Sequence, residues 1–323
     1  MAKRFIASVL ASILLVTGMV SGIASANNNN GTQPNSIWCG LWIGASLDVS
    51  NASDCITNDT SSTNPPNTNG QSTPSSTTGS YVALGDSVAA GLGLPLASNA
   101  TSSDVQCGRS PLGYPASVAR SLNLPLTNLA CSGATAGDLV TQQHISGPNP
   151  AAQLNGAFAS GTPQLMTITT GANDVHWQAF ARACYVTNCT SGAYTTAANA
   201  YLKVLQLKLQ YMFTSIESRS GGSPPQVIIT GYYDPVSATC TATTQVTPAE
   251  IAWVQQQTNA LNSTIQATAA NYPFVTFVPL NFTGHSACSA DPWVQDIQGT
   301  APLHPTARGQ QAIANAVIAA ARY

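Results

Sequence analysis

Four short pieces of the 323-residue chain carry residue types that can do chemistry together: Gly85-Asp86-Ser87, Cys131-Ser132-Gly133, Gly171-Ala172-Asn173-Asp174 and His304-Pro305. A serine hydroxyl is a weak nucleophile near neutral pH and needs a neighbouring base to take its proton as it attacks a carbonyl. Among the four histidines His304 is the best placed for that task. As the acyl carbon becomes tetrahedral its oxygen gains charge, which calls for donors fixed in advance. The backbone N–H groups of Ser87 and Gly133 and the side-chain amide of Asn173 supply three, so the set describes ester hydrolysis through an acyl-enzyme. Each piece alone has a plainer use: Asp86 or Ser87 as a helix cap, Gly133 as a turn glycine, Asn173-Asp174 as another cap, His304-Pro305 as a helix entrance.

The elements that carry these pieces change the odds. From Ser80 onward short apolar runs alternate with longer helical patterns, the pattern of repeated strand–helix units and a parallel sheet. Strands are predicted at Tyr81–Leu84, Leu126–Ala130, Leu165–Thr169, Gln226–Thr230 and Phe274–Val278, and helices at Tyr114–Leu122, Tyr194–Ser218, Pro248–Ala270 and Thr306–Ala321. In the second helix Tyr201, Val204, Leu205 and Met212, with the stem of Lys208, keep a spacing near 3.6 and predict one sheet-facing side. Ligands of open parallel sheets bind beyond the carboxyl ends of the strands. Ser87 follows the first strand, Gly133 the second and Asn173 the third, so three loops converge on one edge.

Composition narrows the partners. Hydrophobic residues make up 44% of the chain and charged residues 7%, with a net charge of −2. No Lys/Arg cluster follows Lys3-Arg4, which excludes the electrostatic grip on a phosphate backbone, and nucleic acid with it. Lys3 and Arg4, the apolar stretch Phe5 to Val20 and Ala24-Ser25-Ala26 predict an export signal over residues 1–26, an uncleaved anchor being the alternative. No other segment is long and apolar enough to span a membrane. Residues 27–56 form a small segment with the apolar island Ile37 to Ile43, read as a strand pair that docks on the main body, with surface or polymer binding as the other use. Residues 57–79 are a Ser/Thr/Pro/Asn-rich linker, and residues 80–323 the main domain. All eight cysteines lie beyond the signal, and an even number in an exported chain reads as disulfides. Zinc is the competing use, but no C-x-x-C pair or His at ligand spacing supports it. Sequence leaves the connectivity open; joining neighbours in order gives Cys39-Cys55, Cys107-Cys131, Cys184-Cys189 and Cys240-Cys288 as the simplest set.

The four blocks together resemble those of the SGNH hydrolases, the GDSL esterase and lipase family: Tyr81 to Ser87 its serine block, Gly133 its glycine block, Gly171 to Asp174 its G-x-N-D block and His304-Pro305 its histidine block. The likeness runs from about Tyr81 to the C-terminus and implies a three-layer α/β/α, flavodoxin-like sandwich with a five-stranded parallel sheet, no cofactor and no metal. The later cysteines resemble those of secreted bacterial members with three disulfides, which supports the in-order pairing. The family commonly has Asp three residues before the histidine, where this chain has Ala301. By resemblance to secreted members, a Ser87-His304 dyad is implied, with the main-chain carbonyl of Ala301 accepting the Nδ1 proton; Asp291 or Asp296 is the side-chain alternative.

Weaker readings attach to other residues. Asp86 and Asp174 adjoin the nucleophile and the amide, so they either orient them or cap their loops. His285 lines the pocket or lies on the surface, while His144 and His176 read as structural or solvent-facing. Trp177, Phe180 and Tyr185 either wall an acyl pocket or simply pack. The sum is a secreted serine esterase or lipase acting on a small-molecule or lipid ester. Alternatives are a carbohydrate acetyl esterase, or an idle cell-surface binding module on the same fold. Acyl length, alcohol and oligomeric state depend on loops such as Leu92–Gln106 and His144–Gly161, and the motifs leave them unknown.

Overall fold

The computed structural model describes residues 79–145, 147–184, 188–238, 240 and 246–322. The predicted signal, the N-terminal segment with Cys39 and Cys55, the linker up to residue 78, and Tyr185 lie outside the described residues.

Five strands form one parallel sheet: β1 (Tyr81–Gly85), β2 (Leu126–Asn128), β3 (Leu165–Thr169), β4 (Gln226–Thr230) and β5 (Val275–Val278), in the order β2-β1-β3-β4-β5. This is the expected three-layer, flavodoxin-like arrangement. Its central strands β1 and β3 are buried along their whole length, which is why they read as unbroken apolar or Thr-containing runs. Tyr81 pairs with Leu126 on one side and Leu165 on the other.

Helices occupy α1 (Ser87–Ala90), α2 (Ser102–Cys107), α3 (Tyr114–Leu122), α4 (Gln153–Ala157), α5 (Trp177–Ala183), α6 (Gly192–Arg219), α7 (Pro248–Ala269) and α8 (Ala307–Ala320). With the order reversal at β1/β3, the right-handed rule for parallel crossovers puts α3 on one face and α6 and α7 on the other. There α6 packs on α7, and α8 returns to pack on α3. The reversal leaves a crevice at the carboxyl ends of β1 and β3.

Differences from the sequence reading have local causes. Strand β2 stops at Asn128 because that side chain accepts the Ala130 N–H at 3.1 Å and turns the chain. Strand β5 starts one residue late, where Val275 N–H closes a turn onto the Tyr272 carbonyl at 2.9 Å. On α6 the buried face is Leu205, Leu209, Met212, Phe213 and Ile216, while Val204 is 40% exposed. The 28-residue helix outlasts the window from which the face was read, and Leu209 rather than Val204 belongs to it. The short helices α1, α2, α4 and α5 span too few residues to show a period.

Among the described residues three disulfides join Cys107 to Cys131, Cys184 to Cys189 and Cys240 to Cys288, which is the in-order pairing for these six cysteines. The first ties the end of α2 to the loop after β2, and the last ties the loop after β4 to the loop after β5. No helix among the described residues is long and apolar enough to cross a membrane.

Candidate active site

The loop that carries Ser87 begins where β1 ends. Gly85 has φ +126, and a Cβ there would lie 2.0 Å from the Thr169 carbonyl oxygen, so only glycine lets the chain leave the sheet this close to β3. Asp86 donates its N–H to that same carbonyl at 2.9 Å. Gln153 of α4 grips both backbone groups of Gly85, accepting its N–H at 2.7 Å and donating to its carbonyl at 2.9 Å. Asp86 then caps α1 through Val88 N–H at 2.9 Å, and Ser87 opens the helix facing the crevice.

Ser87, 217 residues from His304 in sequence, places Oγ 2.7 Å from the imidazole Nε2. The ring's Nδ1 lies 3.0 Å from the Pro302 carbonyl oxygen, so Nε2 is the free acceptor toward serine. The sequence reading assigned that place to the Ala301 carbonyl. Ala301 instead accepts the His304 backbone N–H at 3.2 Å, and the tight turn brings the Pro302 carbonyl, one residue nearer, to the ring. Burial lowers the pKa of His304 below its usual 6.5, opposed by the Pro302 and Ala301 carbonyls, which favours the neutral ring. Such a pair can move a proton from Oγ to Nε2. Neither carboxylate alternative pairs with the ring: Asp291 pairs with Arg308, and Asp296 accepts the Gln298 N–H.

The histidine loop is held in an unusual shape. Leu303 has φ +64, a left-handed conformation costly for a leucine. Its carbonyl accepts the Tyr233 hydroxyl at 2.8 Å, and its N–H donates to the Gln295 carbonyl at 3.2 Å. Gln178 of α5 donates its amide to the Pro302 carbonyl at 2.7 Å.

Asn173 lines the same cleft as Ser87 and His304. One N–H of its amide is used by the Ala134 carbonyl at 2.9 Å, which fixes the side chain and leaves the second for the cleft. Gly133, with φ +82, is exposed and stands outside the cleft lining; its neighbour Ala134 makes the link to Asn173. Asp174 is buried and bridges Lys208 Nζ and Ala136 N–H, both at 2.8 Å, so the G-x-N-D loop is tied to α6 and to the loop after β2.

Asp86 is 1% exposed, and burial pushes its pKa up to about 7. Its Oδ2 accepts the hydroxyl of Tyr232 at 2.5 Å, and that hydroxyl oxygen accepts the Ala172 N–H at 3.1 Å. Asn262 of α7 holds Tyr232 in turn, accepting its N–H at 2.7 Å and donating to its carbonyl at 2.8 Å. The loop after β4 thereby fastens the serine loop to the asparagine loop. Sequence reasoning missed Tyr232, Tyr233, Gln178, Asn262 and Gln153. The available signal was position: Gly231-Tyr232-Tyr233 follows β4 at the same sheet edge as the three loops that were read.

The remaining candidates fall elsewhere. Trp177 lines the cleft, but Phe180 belongs to an adjacent aromatic cluster with Tyr194, Tyr201 and Trp253. His285 stacks on Trp293 with ring centroids 3.7 Å apart, outside the cleft lining. His176 is exposed against Tyr201, and His144 lies beside the Asn149 amide at 3.2 Å.

The model of the GDSL-like lipase/acylhydrolase family matches residues 83–312. A lipase from Streptomyces rimosus is 32% identical over 241 residues, 71% of this chain and 82% of that protein. The crystal structure of an extracellular lipase from Streptomyces rimosus superposes with a TM-score of 0.62 at 28% identity, covering 74% of this chain and 99% of that one. A phospholipase A1 from Streptomyces albidoflavus NA297 gives a TM-score of 0.60 at 27% identity, over 75% and 97%. Fold, family match and relatives together make the protein an ester hydrolase. The chain belongs to the GDSL-like lipase/acylhydrolase family.

Proposed function

We propose that this chain is a secreted lipase or esterase that cleaves carboxylic esters in two steps through a Ser87-His304 dyad. Ser87 Oγ attacks the ester carbonyl while His304 Nε2 takes its proton. The Pro302 carbonyl holds Nδ1–H and favours the imidazolium that forms. The oxyanion is received by the Ser87 N–H group and the free amide hydrogen of Asn173. His304 passes its proton to the leaving alkoxide, the alcohol departs, and water attacks the acyl-serine with His304 as base. Asp86 and Asp174 act at one remove, by fixing the loops that carry Ser87 and Asn173.

The observation that carries the reading is the 2.7 Å approach of Ser87 Oγ to the Nε2 of a buried imidazole. Secretion is supported by the signal-like residues 1–26, the three disulfides, and the extracellular lipase among the relatives. The lipase and phospholipase A1 relatives favour lipid esters as the substrate class. The test is a panel of p-nitrophenyl esters from acetyl to palmitoyl, a phosphatidylcholine and an acetylated xylan, run with the parent and Ser87→Ala. The reading requires hydrolysis of the longer acyl or phospholipid substrates by the parent and none by the variant. Parental rates in folded Ser87→Ala, or turnover confined to acetylated glycan, would overturn the mechanism or the substrate class respectively.

A further inference from the structure

We propose that Gln178 is a positioning residue for the base: it holds the Pro302 carbonyl in the orientation that aligns the His304 imidazole with Ser87. The inference rests on the Ser87-His304 reading and extends it.

A carboxylate beside a catalytic imidazole works by charge and by orientation. A peptide carbonyl brings no net charge, so its usefulness depends on direction, and the Pro302 carbonyl sits in a segment that would not keep its direction unaided. Leu303, across the peptide bond, is left-handed at φ +64. Pro302 itself has no N–H with which to anchor the turn. The two lone pairs of the Pro302 oxygen are both used, by His304 Nδ1–H at 3.0 Å and by the Gln178 amide at 2.7 Å. The other end of that peptide, Leu303 N–H, donates to the Gln295 carbonyl at 3.2 Å, and the next carbonyl takes the Tyr233 hydroxyl at 2.8 Å. The peptide plane is therefore pinned at both ends, and besides His304 itself Gln178 is the only side chain among the described residues hydrogen-bonded to the end that faces the imidazole.

Gln178 also lies five residues beyond Asn173 on the same stretch of chain, at the start of α5, and both side chains line the cleft. One short segment thus supports the base with one amide and presents the other amide to the developing oxyanion. A shift of α5 would disturb both halves of the reaction together.

The experiment compares the parent with Gln178→Met, which keeps length but loses the donor, and with near-isosteric Gln178→Glu, which when ionised cannot donate either. Steady-state kinetics on a soluble p-nitrophenyl ester are followed across pH, with melting temperature as the control for folding. For either folded variant kcat should fall about tenfold with KM changed less than about twofold, the pattern of a lost transition-state interaction. In Gln178→Met the acidic limb of kcat/KM should also move to lower pH, because an untethered carbonyl supports the imidazolium less. A merely structural role would lower the melting temperature and leave the limb of the folded enzyme in place. Unchanged kcat in both variants, or a rise in KM alone, overturns the proposal. Ser87→Ala run alongside separates the failures: loss of activity there with parental kinetics in the Gln178 variants sinks this inference and leaves the dyad standing.

Discussion

Removing one oxygen atom, in Tyr232→Phe, should destabilise the protein by an amount that depends on pH. The Tyr232 hydroxyl is buried and makes two hydrogen bonds, donating to Asp86 Oδ2 and accepting from Ala172 N–H. With Asp86 protonated both bonds are between neutral groups, each worth about 1 kcal/mol, so the loss at about pH 5 is about 2 kcal/mol. With Asp86 ionised the bond to it is charge-assisted, and its share rises to about 2–3 kcal/mol, for a total near 3–4 kcal/mol at about pH 9. Linkage gives the same sign. The Asp86 pKa is already raised from 3.8 to about 7 by burial, and the Tyr232 bond is what most restrains it. Without that bond it climbs further, and each additional unit costs about 1.4 kcal/mol of stability above the pKa. Because the folded carboxyl binds its proton more tightly than the unfolded one, the contribution of Asp86 is fully present below about pH 4 and is lost as pH rises toward 7. His304 acts oppositely: its lowered pKa contributes stability above about pH 6.5 that is lost in acid. Subtracting parent from variant at each pH removes the His304 share, which both proteins carry. Urea unfolding with disulfides intact, at about pH 5 and about pH 9, measures the difference. Equal losses at both values, or a larger loss in acid, would refute the reasoning.

Three further outcomes follow from the geometry. Asn173→Ala should lower kcat about 10²–10³-fold, the usual cost of one oxyanion donor, and a loss under about threefold would remove Asn173 from that role. The kcat/KM profile should rise with pH through a midpoint below about 6.5, since burial lowers the His304 pKa and protonation removes the base; a profile that falls with pH over that range would contradict it. Gly93→Ala should cost about 1–3 kcal/mol in urea unfolding and lower activity, because Gly93 has φ +86 and a Cβ there would lie 2.4 Å from the Ala301 Cβ on the histidine loop; parental stability would show that the two loops are not in contact.

How far the sequence reached depended on whether the signal was local. The central strands were legible because full burial on both faces demands unbroken runs such as Tyr81 to Leu84 and Leu165 to Thr169. The convergence of the Ser87, Gly133 and Asn173 loops followed from parallel topology, which sends every strand's carboxyl end to one edge. The partner of Nδ1 was misassigned by one residue because the choice between the Ala301 and Pro302 carbonyls is made by the left-handed Leu303, and nothing in a leucine announces that conformation. The supports formed by Tyr232, Asn262, Tyr233 and Gln178 were illegible for a different reason. Their partners lie 30 to 146 residues away, and no spacing rule links a tyrosine after β4 to an aspartate after β1.

The central claim is that Ser87 is the nucleophile and His304 its base. Treating the parent, Ser87→Ala and His304→Ala with a fluorophosphonate, then measuring intact mass and mapping the modified peptide, tests it directly. A single adduct on Ser87 in the parent, none in Ser87→Ala and strongly slowed labelling in His304→Ala is the predicted result. Labelling of Ser87→Ala at the parental rate, or an adduct mapped to another residue, would contradict it.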